Sequence, residues 1–306
     1  MRRLPTLLVA LLVAGCGLGP GAERDGGAEL RVTRDFGQRA LFSASTPKVR
    51  EGETVMRFLR SRRNVETRYG GRFVQAIDGL AGAGAGGRSD WFYWVNGIEA
   101  SVGAAERELS PGDVVQWDHR RWGAAMRVPA TVGAYPEPFD HGTEGKRLPV
   151  RVECEDEGGP GCRAVKVRLT DDGVPVSSAA LGAQGGENLL RVVVGRWPAA
   201  RAVSEIDDLA EGPRESDVFA RFAEDGERLD LLGVDGNVAR SLGPGSGLLA
   251  ATADSDHSVV WLVVGVDERG VEAAARLLEQ RTLRNAFAVA ATPGGPERLP
   301  LRESAG

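Results

Sequence analysis

Trp91-Phe92-Tyr93-Trp94-Val95-Asn96-Gly97-Ile98 is the stretch of sequence that decides the fold of the first part of the chain. Its run of aromatic and β-branched residues predicts a strand. Asn96-Gly97 directly after that run predicts a tight hairpin, because both central positions of a type I′ turn need positive φ. Successive strand residues point to opposite sides of a sheet, so Trp91 and Tyr93 share one side and Phe92 and Trp94 the other. We therefore expect the side chains on both sides of this strand to be buried.

The flanking elements predict an α+β domain of the β-grasp type. Two strand-like runs form a hairpin at its start, and a helix begins at Glu53 and Thr54. A further strand and a turn then lead to the last strand. The predicted strands are Leu30–Arg34, Arg39–Ser43, Phe73–Ile77 and Val114–His119. Because this order of elements is typical of a β-grasp, we predict a β-grasp-like N-terminal domain over residues 30–122.

The same residues resemble a known family. Gly52-Glu53-Thr54-Val55, Gly70-Gly71-Arg72-Phe73-Val74, the run 91–97 and Leu109-Ser110-Pro111-Gly112-Asp113-Val114-Val115-Gln116-Trp117 are similar to the DUF4430 family, the transcobalamin-like C-terminal domain. In vitamin B12 carriers that share it, this domain is a β-grasp cap that closes over the corrin ring. The resemblance implies cobalamin or another corrinoid as the ligand and a membrane importer as the partner that receives it.

Six residues of this domain are candidate ligand-binding residues. Indole rings stack on flat ligands but equally fill protein cores, so two interpretations stay open. In one, the aromatic face receives a ligand, and a neutral imidazole could ligate cobalt. In the other, the sheet packs its helix on one face and the neighbouring linker or domain on the other. The candidates are Trp91, Tyr93, Trp94, Asn96, Trp117 and His119.

The N-terminus predicts export and lipidation. Arg2 and Arg3 precede a short apolar run, and Val13-Ala14-Gly15-Cys16 resembles a bacterial lipobox, in which the first mature residue is lipidated. We therefore predict a lipoprotein signal peptide over residues 1–15, a lipidated Cys16, and a flexible Gly-rich tether over residues 16–29. The predicted location is the extracytoplasmic face of the cell membrane.

The composition of the chain argues against nucleic acid as a partner and predicts a disulfide. The 306 residues carry a formal net charge of −5, which offers no general basic surface for nucleic acid. Besides Cys16, the chain has only Cys154 and Cys162, and in an exported protein we expect these two to form a disulfide. A metal site built on the neighbouring glutamates is disfavoured because no histidine is near, so no metal or cofactor is predicted.

The second half of the chain predicts an α/β domain. Residues 123–147 are rich in Pro and Gly and are expected to form a linker, followed by an α/β domain over residues 148–294 and a disordered tail over residues 295–306. The apolar run Val259–Gly265, a helix over Gly270–Gln280 capped by Asp267, and a strand at Phe287–Ala290 predict a βαβ unit with a parallel strand pair.

Two motifs resemble those of enzymes, but the residues around them do not fit the corresponding active sites. Gly82–Gly87 fits G-x-G-x-x-G, but an aromatic strand follows where phosphate binding needs a helix. Ser246 lies in a turn that breaks the G-x-S-x-G pattern, although Asp254 and His257 follow it. We therefore predict a non-enzymatic, lipid-anchored extracytoplasmic ligand-binding protein. The alternative is a cell-surface protein-interaction module with no small-molecule ligand.

Overall fold

The computed structural model describes residues 22–84, 86–183, 188–253 and 259–302, with the side chain of Glu205 excepted. The predicted signal peptide, Cys16, Asp254 and His257 lie outside the described residues. Within those ranges no helix has the length and apolar character that a bilayer-spanning helix needs. The chain is a mixed, sheet-rich structure compatible with an α+β fold, and it contains two larger sheets.

The first region contains eight strands and one short helix. Its elements are β1 (Glu23–Arg34), β2 (Arg39–Arg50), α1 (Val55–Arg60), β3 (Val65–Arg68), β4 (Phe73–Ile77), β5 (Leu80–Ala81), β6 (Ser89–Val95), β7 (Ile98–Glu99) and β8 (Val114–Arg121). The main sheet has the order β2-β1-β8-β6-β7, with β1 parallel to β8, and β3, β4 and β5 form a small second sheet. The chain therefore places its first and last long strands side by side in the middle.

Local signals explain the elements of this region. Thr54 caps α1 and accepts a hydrogen bond from the Arg57 amide. The hairpin after β6 turns at Asn96 and Gly97, whose φ angles are 55° and 76°, as the Asn-Gly dipeptide predicts. One prediction needs correction: β1 begins at Glu23, so the tether predicted over residues 16–29 extends too far. The reason is that β2 continues to Arg50 and pairs with the earlier residues of β1.

The second region contains ten strands and five helices within the described part of the chain. Its elements are β9 (Val150–Cys154), α2 (Pro160–Asp171), β10 (Val176–Ala180), β11 (Leu190–Arg196), α3 (Trp197–Ala200), α4 (Ser204–Asp207), β12 (Ala220–Phe222), β13 (Leu229–Leu232), β14 (Val238–Leu242), β15 (Gly247–Ala253), β16 (Val259–Gly265), α5 (Glu268–Ala275), α6 (Gln280–Leu283), β17 (Ala288–Thr292) and β18 (Gly295–Leu299). Its main sheet has the order β10-β9-β11-β16-β15-β17-β18, and β12, β13 and β14 form a separate sheet.

Two predictions for this region are wrong in part. Strands β16 and β17 run in the same direction, but they do not pair, because β15 lies between them and is antiparallel to both. The tail predicted from residue 295 begins instead with β18, which pairs with β17 along five residues. In both places a strand pairs with its neighbour in sequence: β15 with β16 along seven residues, and β18 with β17.

The predicted linker, residues 123–147, is a packed segment. Val132, Tyr135 and Phe139 are almost fully buried and join the core on one face of the seven-stranded sheet. Ala125 and Val128 join the core on its other face. Because apolar side chains of this segment lie in both cores, the Pro- and Gly-rich composition does not produce an exposed connection here. Phe36 and Trp94 of the first region lie in the second of these cores, so the two regions share it.

Candidate functional site

The three tryptophans proposed as ligand contacts lie in the core. Trp91, Trp94 and Trp117 are 5%, 0% and 2% exposed. Trp91 donates its indole N–H to the carbonyl oxygen of Leu80 at 2.8 Å, and Trp94 donates to that of Val128 at 2.7 Å. Their rings therefore have no free face for a ligand in this structure, and the core-packing interpretation describes them.

The other three candidates occupy separate surroundings. Tyr93 is half-buried, stacks on Trp117 with ring centroids 4.8 Å apart, and donates its hydroxyl to the carbonyl oxygen of Val102 at 2.6 Å. His119 is half-buried, with Nε2 3.2 Å from the carbonyl oxygen of Ala81. Asn96 is fully buried in the hairpin turn, where its amide donates to Asp113 at 2.9 Å. The fold thus places three of the six predicted residues in a core, one in a turn, and two, Tyr93 and His119, in half-buried positions on β6 and β8.

The predicted disulfide is present. Cys154 at the end of β9 is bonded to Cys162 in the first turn of α2, with an S–S distance of 1.99 Å and Cα atoms 6.0 Å apart. Both cysteines are buried. The bond ties the carboxyl end of a central strand to the start of the helix that follows it.

Ser246 lies in the loop before β15, where its hydroxyl is buried and donates to the carbonyl oxygen of Gly243 at 2.5 Å.

A cluster of possible metal ligands lies in the packed segment 123–147. Glu137, Asp140 and His141 place one ligand atom each within 4.8 Å of one another. Glu137 is buried, which raises the pKa of its carboxyl although His141 donates to it, with Nδ1 2.5 Å from the nearer oxygen. Sequence reasoning missed these residues, whose signal is the short spacing Glu-x-x-Asp-His. His141 donates to Glu137 through its backbone N–H as well, and Asp140 lies 3.5 Å from the same Nδ1, so ion pairing within the segment accounts for this arrangement.

A cleft opens at the carboxyl ends of the parallel strands of the second region. After β9 the chain enters α2, which packs on one face of the sheet, whereas after β11 it enters α3, which packs on the other. Where neighbouring parallel strands send their connections to opposite faces, a crevice forms outside their carboxyl ends, and ligands of open α/β sheets bind there. The cleft has a volume of about 430 Å³ and lies between the ends of β9 and β11 and the starts of α2 and α5. We call it the strand-end cleft.

Charged groups line the strand-end cleft. Glu155 accepts hydrogen bonds from the backbone and the guanidinium of Arg196, at 2.8 Å and 3.0 Å. Burial would raise the pKa of Glu155, but these bonds lower it below its usual value. Asp156 and Glu268 also line the cleft and are exposed. Acidic and basic groups thus face the same space.

The start of α2 adds hydrogen-bond donors to this cleft. Its N-cap is Gly159, which has no side chain to satisfy the first backbone N–H groups, and Pro160 follows it. Free N–H groups at a helix start attract an acceptor or an anion. The sequence feature that could have indicated this cleft is a charged residue at the end of each of two buried strands. These residues are Glu155, directly after β9, and Arg196, the last residue of β11.

Comparisons with known proteins identify one segment. Residues 52–121 match DUF4430, a domain of unknown function, which confirms the resemblance found in the sequence. A Ruminococcus gnavus ATCC 29149 protein described as a "putative metal binding protein" is 14% identical with a TM-score of 0.25, over 32% of this chain and 98% of that one. Haptocorrin in complex with Cbi is 16% identical with a TM-score of 0.24, over 34% of this chain and 27% of that one. No curated protein matches. These TM-scores carry no argument about ligands.

Proposed function

We propose that this protein is a lipid-anchored, extracytoplasmic binding protein that takes a small polar ligand in the strand-end cleft. The observation that supports the proposal is the position of that cleft, at the carboxyl ends of neighbouring parallel strands whose connections leave to opposite faces. Its volume of about 430 Å³ suits a small metabolite.

The chemistry of the lining suits a ligand that carries both charges. A carboxylate or similar acceptor would meet the uncapped N–H groups of α2, and an ammonium would face Asp156 and Glu268. The disulfide between Cys154 and Cys162 holds β9 and α2 together in the absence of ligand. A wall that is already ordered lowers the entropic cost of binding.

The lipid anchor is the second part of the proposal. Cys16 is followed by only six residues before β1 begins at Glu23. Such a segment reaches at most about 20 Å, at roughly 3.4 Å a residue. A protein anchored at Cys16 would therefore stay close to the membrane, where an importer could take over its ligand.

A corrinoid is the more specific ligand that the DUF4430 resemblance implies. The sheet order β2-β1-β8-β6, with α1 across one face, supports the β-grasp assignment behind that resemblance. Because the three tryptophans are buried, a corrinoid would lie against the half-exposed Tyr93 and His119. The two ligand hypotheses thus concern different surfaces.

One observation favours the alternative of a protein-interaction module. Tyr69 and Phe73, at the turn between β3 and β4, are 80% and 38% exposed. Their rings lie 6.4 Å apart in an edge-to-face arrangement. Exposed aromatic side chains are enriched in protein interfaces, so this turn is where a partner would bind.

The test is calorimetric titration of the full chain, purified in detergent, with the twenty amino acids, cyanocobalamin and cobinamide. We expect saturable binding of at least one amino acid. Gly195→Val should weaken it at least tenfold, because a Cβ at this position lies 2.9 Å from that of Glu155 and the larger side chain fills the cleft floor. The matched control is Gly243→Val, where a Cβ meets nothing within 4 Å.

The remaining outcomes separate the hypotheses. Corrinoid binding that His119→Ala weakens and Gly195→Val leaves unchanged would move the ligand site to the first region and overturn the strand-end cleft. No binding of any of these compounds at 1 mM would overturn the binding function and direct attention to Tyr69 and Phe73.

A further inference from the structure

A second cleft lies where the two regions meet. One cavity of about 710 Å³ and another of about 430 Å³ share Gln38 and Arg302 in their walls, so they adjoin. The walls come from the β1–β2 turn and the end of β8 in the first region, and from β14, β18 and the residues after β18 in the second. We call this space the arginine cleft, because it is lined by Arg39, Arg121, Arg240, Arg298 and Arg302.

The arginine cleft is strongly positive in an acidic protein. Its lining contains two carboxylates, Asp35 and Glu297. Arg34, which lies outside the lining, holds Asp35 at 2.9 Å, and Arg240 is paired with Glu297. Five arginines and two carboxylates therefore line the cleft, and Arg121 also interacts electrostatically with Asp235 outside the lining, although the whole chain has a net charge of −5.

Two of these arginines lie close together without a carboxylate partner. Arg302 donates to the side-chain and main-chain oxygens of Gln38, at 2.5 Å and 2.7 Å, and both acceptors are neutral. In the described part of the chain, the half-buried Arg298 side chain makes no hydrogen bond or ion pair. Burial lowers the pKa of Arg298, and the charge of Arg302 lowers it further. Adjacent like charges are unfavourable unless an anion compensates them.

We propose that the arginine cleft binds an anion that carries at least two phosphate groups. Guanidinium groups form paired hydrogen bonds with phosphate oxygens, and a tetrahedral phosphate presents oxygens to donors on several walls at once. Two groups are required because the arginines are distributed over two adjoining cavities. This site is separate from the strand-end cleft and goes beyond the proposed function.

Binding in this cleft would connect the two regions. Arg39 and Gln38 belong to the turn of the first sheet, whereas Arg298 and Arg302 belong to the last strand of the second and the residues after it. An anion held by both sets stabilises their contact. Since a ligand that binds only the folded state raises its stability, the melting temperature should increase with ligand concentration.

The experiment is calorimetric titration of the full chain in detergent with inorganic pyrophosphate, orthophosphate and citrate. We expect pyrophosphate to bind with a Kd below 100 µM and at least tenfold more tightly than the other two. The double variant Arg298→Gln/Arg302→Gln should weaken pyrophosphate at least tenfold. The matched control is Arg62→Gln/Arg72→Gln, which removes the same charge from exposed positions of the first region and should change the Kd less than twofold.

Several results would overturn the proposal. They are no pyrophosphate binding at 1 mM, an equal loss of affinity in the control variant, and citrate binding as tightly as pyrophosphate. The double variant is first compared with wild type by thermal unfolding. Where it is unfolded, Arg39→Gln replaces it, because Arg39 is exposed and makes no hydrogen bond or ion pair within the described residues. This single variant should weaken pyrophosphate at least threefold, and an unchanged Kd would equally contradict the site.

Discussion

The two large sheets are covered on both faces, but with different chemistry. The central strands of the second sheet, β11 and β16, consist of Val, Leu, Gly and one Trp, apart from Arg191 and Arg196 of β11. Their Val, Leu and Trp side chains enter apolar cores on either side. The first sheet packs an apolar face on α1 and buries a second face that is polar and aromatic. The side chains of that second face include Arg31, Thr33, Trp94, Gln116, Asp118 and Arg120.

The first sheet shows how the polar side chains of a sheet face can be buried when they find hydrogen-bond partners. Arg31 donates to the carbonyl oxygen of Gly133 at 2.7 Å, and Gln116 donates to that of Asn285 at 3.2 Å. Arg120 donates to the carbonyl oxygen of Ala125 at 2.8 Å and lies 4.0 Å from the ring centre of Phe92. Burial lowers the pKa of Arg120 to about 10. The Nε atoms of Arg31 and Arg120 have no partner, but the other donors of these side chains reach specific carbonyl oxygens. The junction between the regions is therefore defined by hydrogen-bond geometry as well as by apolar area.

The largest expected effect tests whether the junction stabilises the whole molecule. Trp94 is fully buried, and its ring centroid lies 5.0 Å from that of Phe287 in the second region. Trp94→Ala should lower the free energy of unfolding by about 4 kcal/mol, since it leaves a cavity and an unpaired carbonyl. Chemical denaturation measures the loss. The half-buried Trp122 is the control, and Trp122→Ala should cost about 1 kcal/mol. Equal losses in the two variants would mean that Trp94 at the junction contributes no more to stability than a half-buried tryptophan elsewhere.

The next effect tests the polar part of the same junction. Asp118 accepts hydrogen bonds from the amides of Phe36 and Gly37, at 2.9 Å and 2.8 Å, and so fixes the β1–β2 turn. Phe36 then packs on Phe219, with ring centroids 4.8 Å apart. Asp118→Ala should cost about 3 kcal/mol, because both amides lose their acceptor. Asp118→Asn keeps one acceptor oxygen and should cost less than half of that. A loss below about 1 kcal/mol in the alanine variant would show that water replaces the carboxylate.

A smaller effect is expected in the second region. Replacing both Cys154 and Cys162 by Ala removes a disulfide between residues eight positions apart. The chain-entropy model gives a loss of about 2.5 kcal/mol for so short a loop. Reduction of the wild-type protein with dithiothreitol should produce the same loss in chemical denaturation. If reduction has no effect while the double variant is destabilised, packing around the two side chains accounts for the loss instead.

The smallest effect concerns the pH dependence of the junction. Burial raises the pKa of Asp217 to about 7, with the charge of Glu99 and Glu215 acting in the same direction and that of Arg120 and Arg127 against it. Folding therefore favours the protonated carboxyl. The stability this contributes is complete below the usual pKa of 3.8 and is lost as pH rises through about 7.

Asp217→Asn should remove this part of the pH dependence. The variant should match wild type near pH 3.5 and be the more stable protein at pH 8, by less than about 1 kcal/mol after screening by solvent. Denaturation midpoints at several pH values measure it. Glu157→Gln, an exposed acid of the second region, should leave the pH dependence unchanged. A variant less stable than wild type at pH 8 would mean that the Arg120 and Arg127 contacts outweigh the burial.

Local sequence signals predicted individual elements but not which strands pair with them. The Asn96-Gly97 turn, the Thr54 cap, the Asp267 cap and the Cys154–Cys162 bond depend on residues within a few positions of one another, and the structure contains each of them. The order of strands depends on pairing between distant residues. That is why β15 was missed between β16 and β17, and why β18 was taken for a tail.

The candidate sites were less predictable than the elements. Six residues were selected for aromatic or polar character, and the structure buries four of them, Trp91, Trp94, Asn96 and Trp117. The strand-end cleft unites residues around 155, 195 and 268, and the arginine cleft unites residues around 38, 121, 240 and 300. No local pattern links positions so far apart, because a cleft is formed by surfaces that meet only after folding.

The sequence by itself determined individual segments such as β4, β6, β8 and β16, the Asn96-Gly97 turn, the disulfide and the DUF4430 segment. These features follow from backbone preferences and from contacts between residues near each other in the chain. The tertiary structure alone decided which face of the first sheet meets the second region. In the sequence, polar residues alternate along β1 and β8 and predict a solvent-exposed face; they are Arg31, Thr33, Gln116 and Asp118. In the structure, groups from distant parts of the chain form hydrogen bonds with these side chains, so the face is buried. Burial of polar groups depends on those partners, and only the complete fold supplies them.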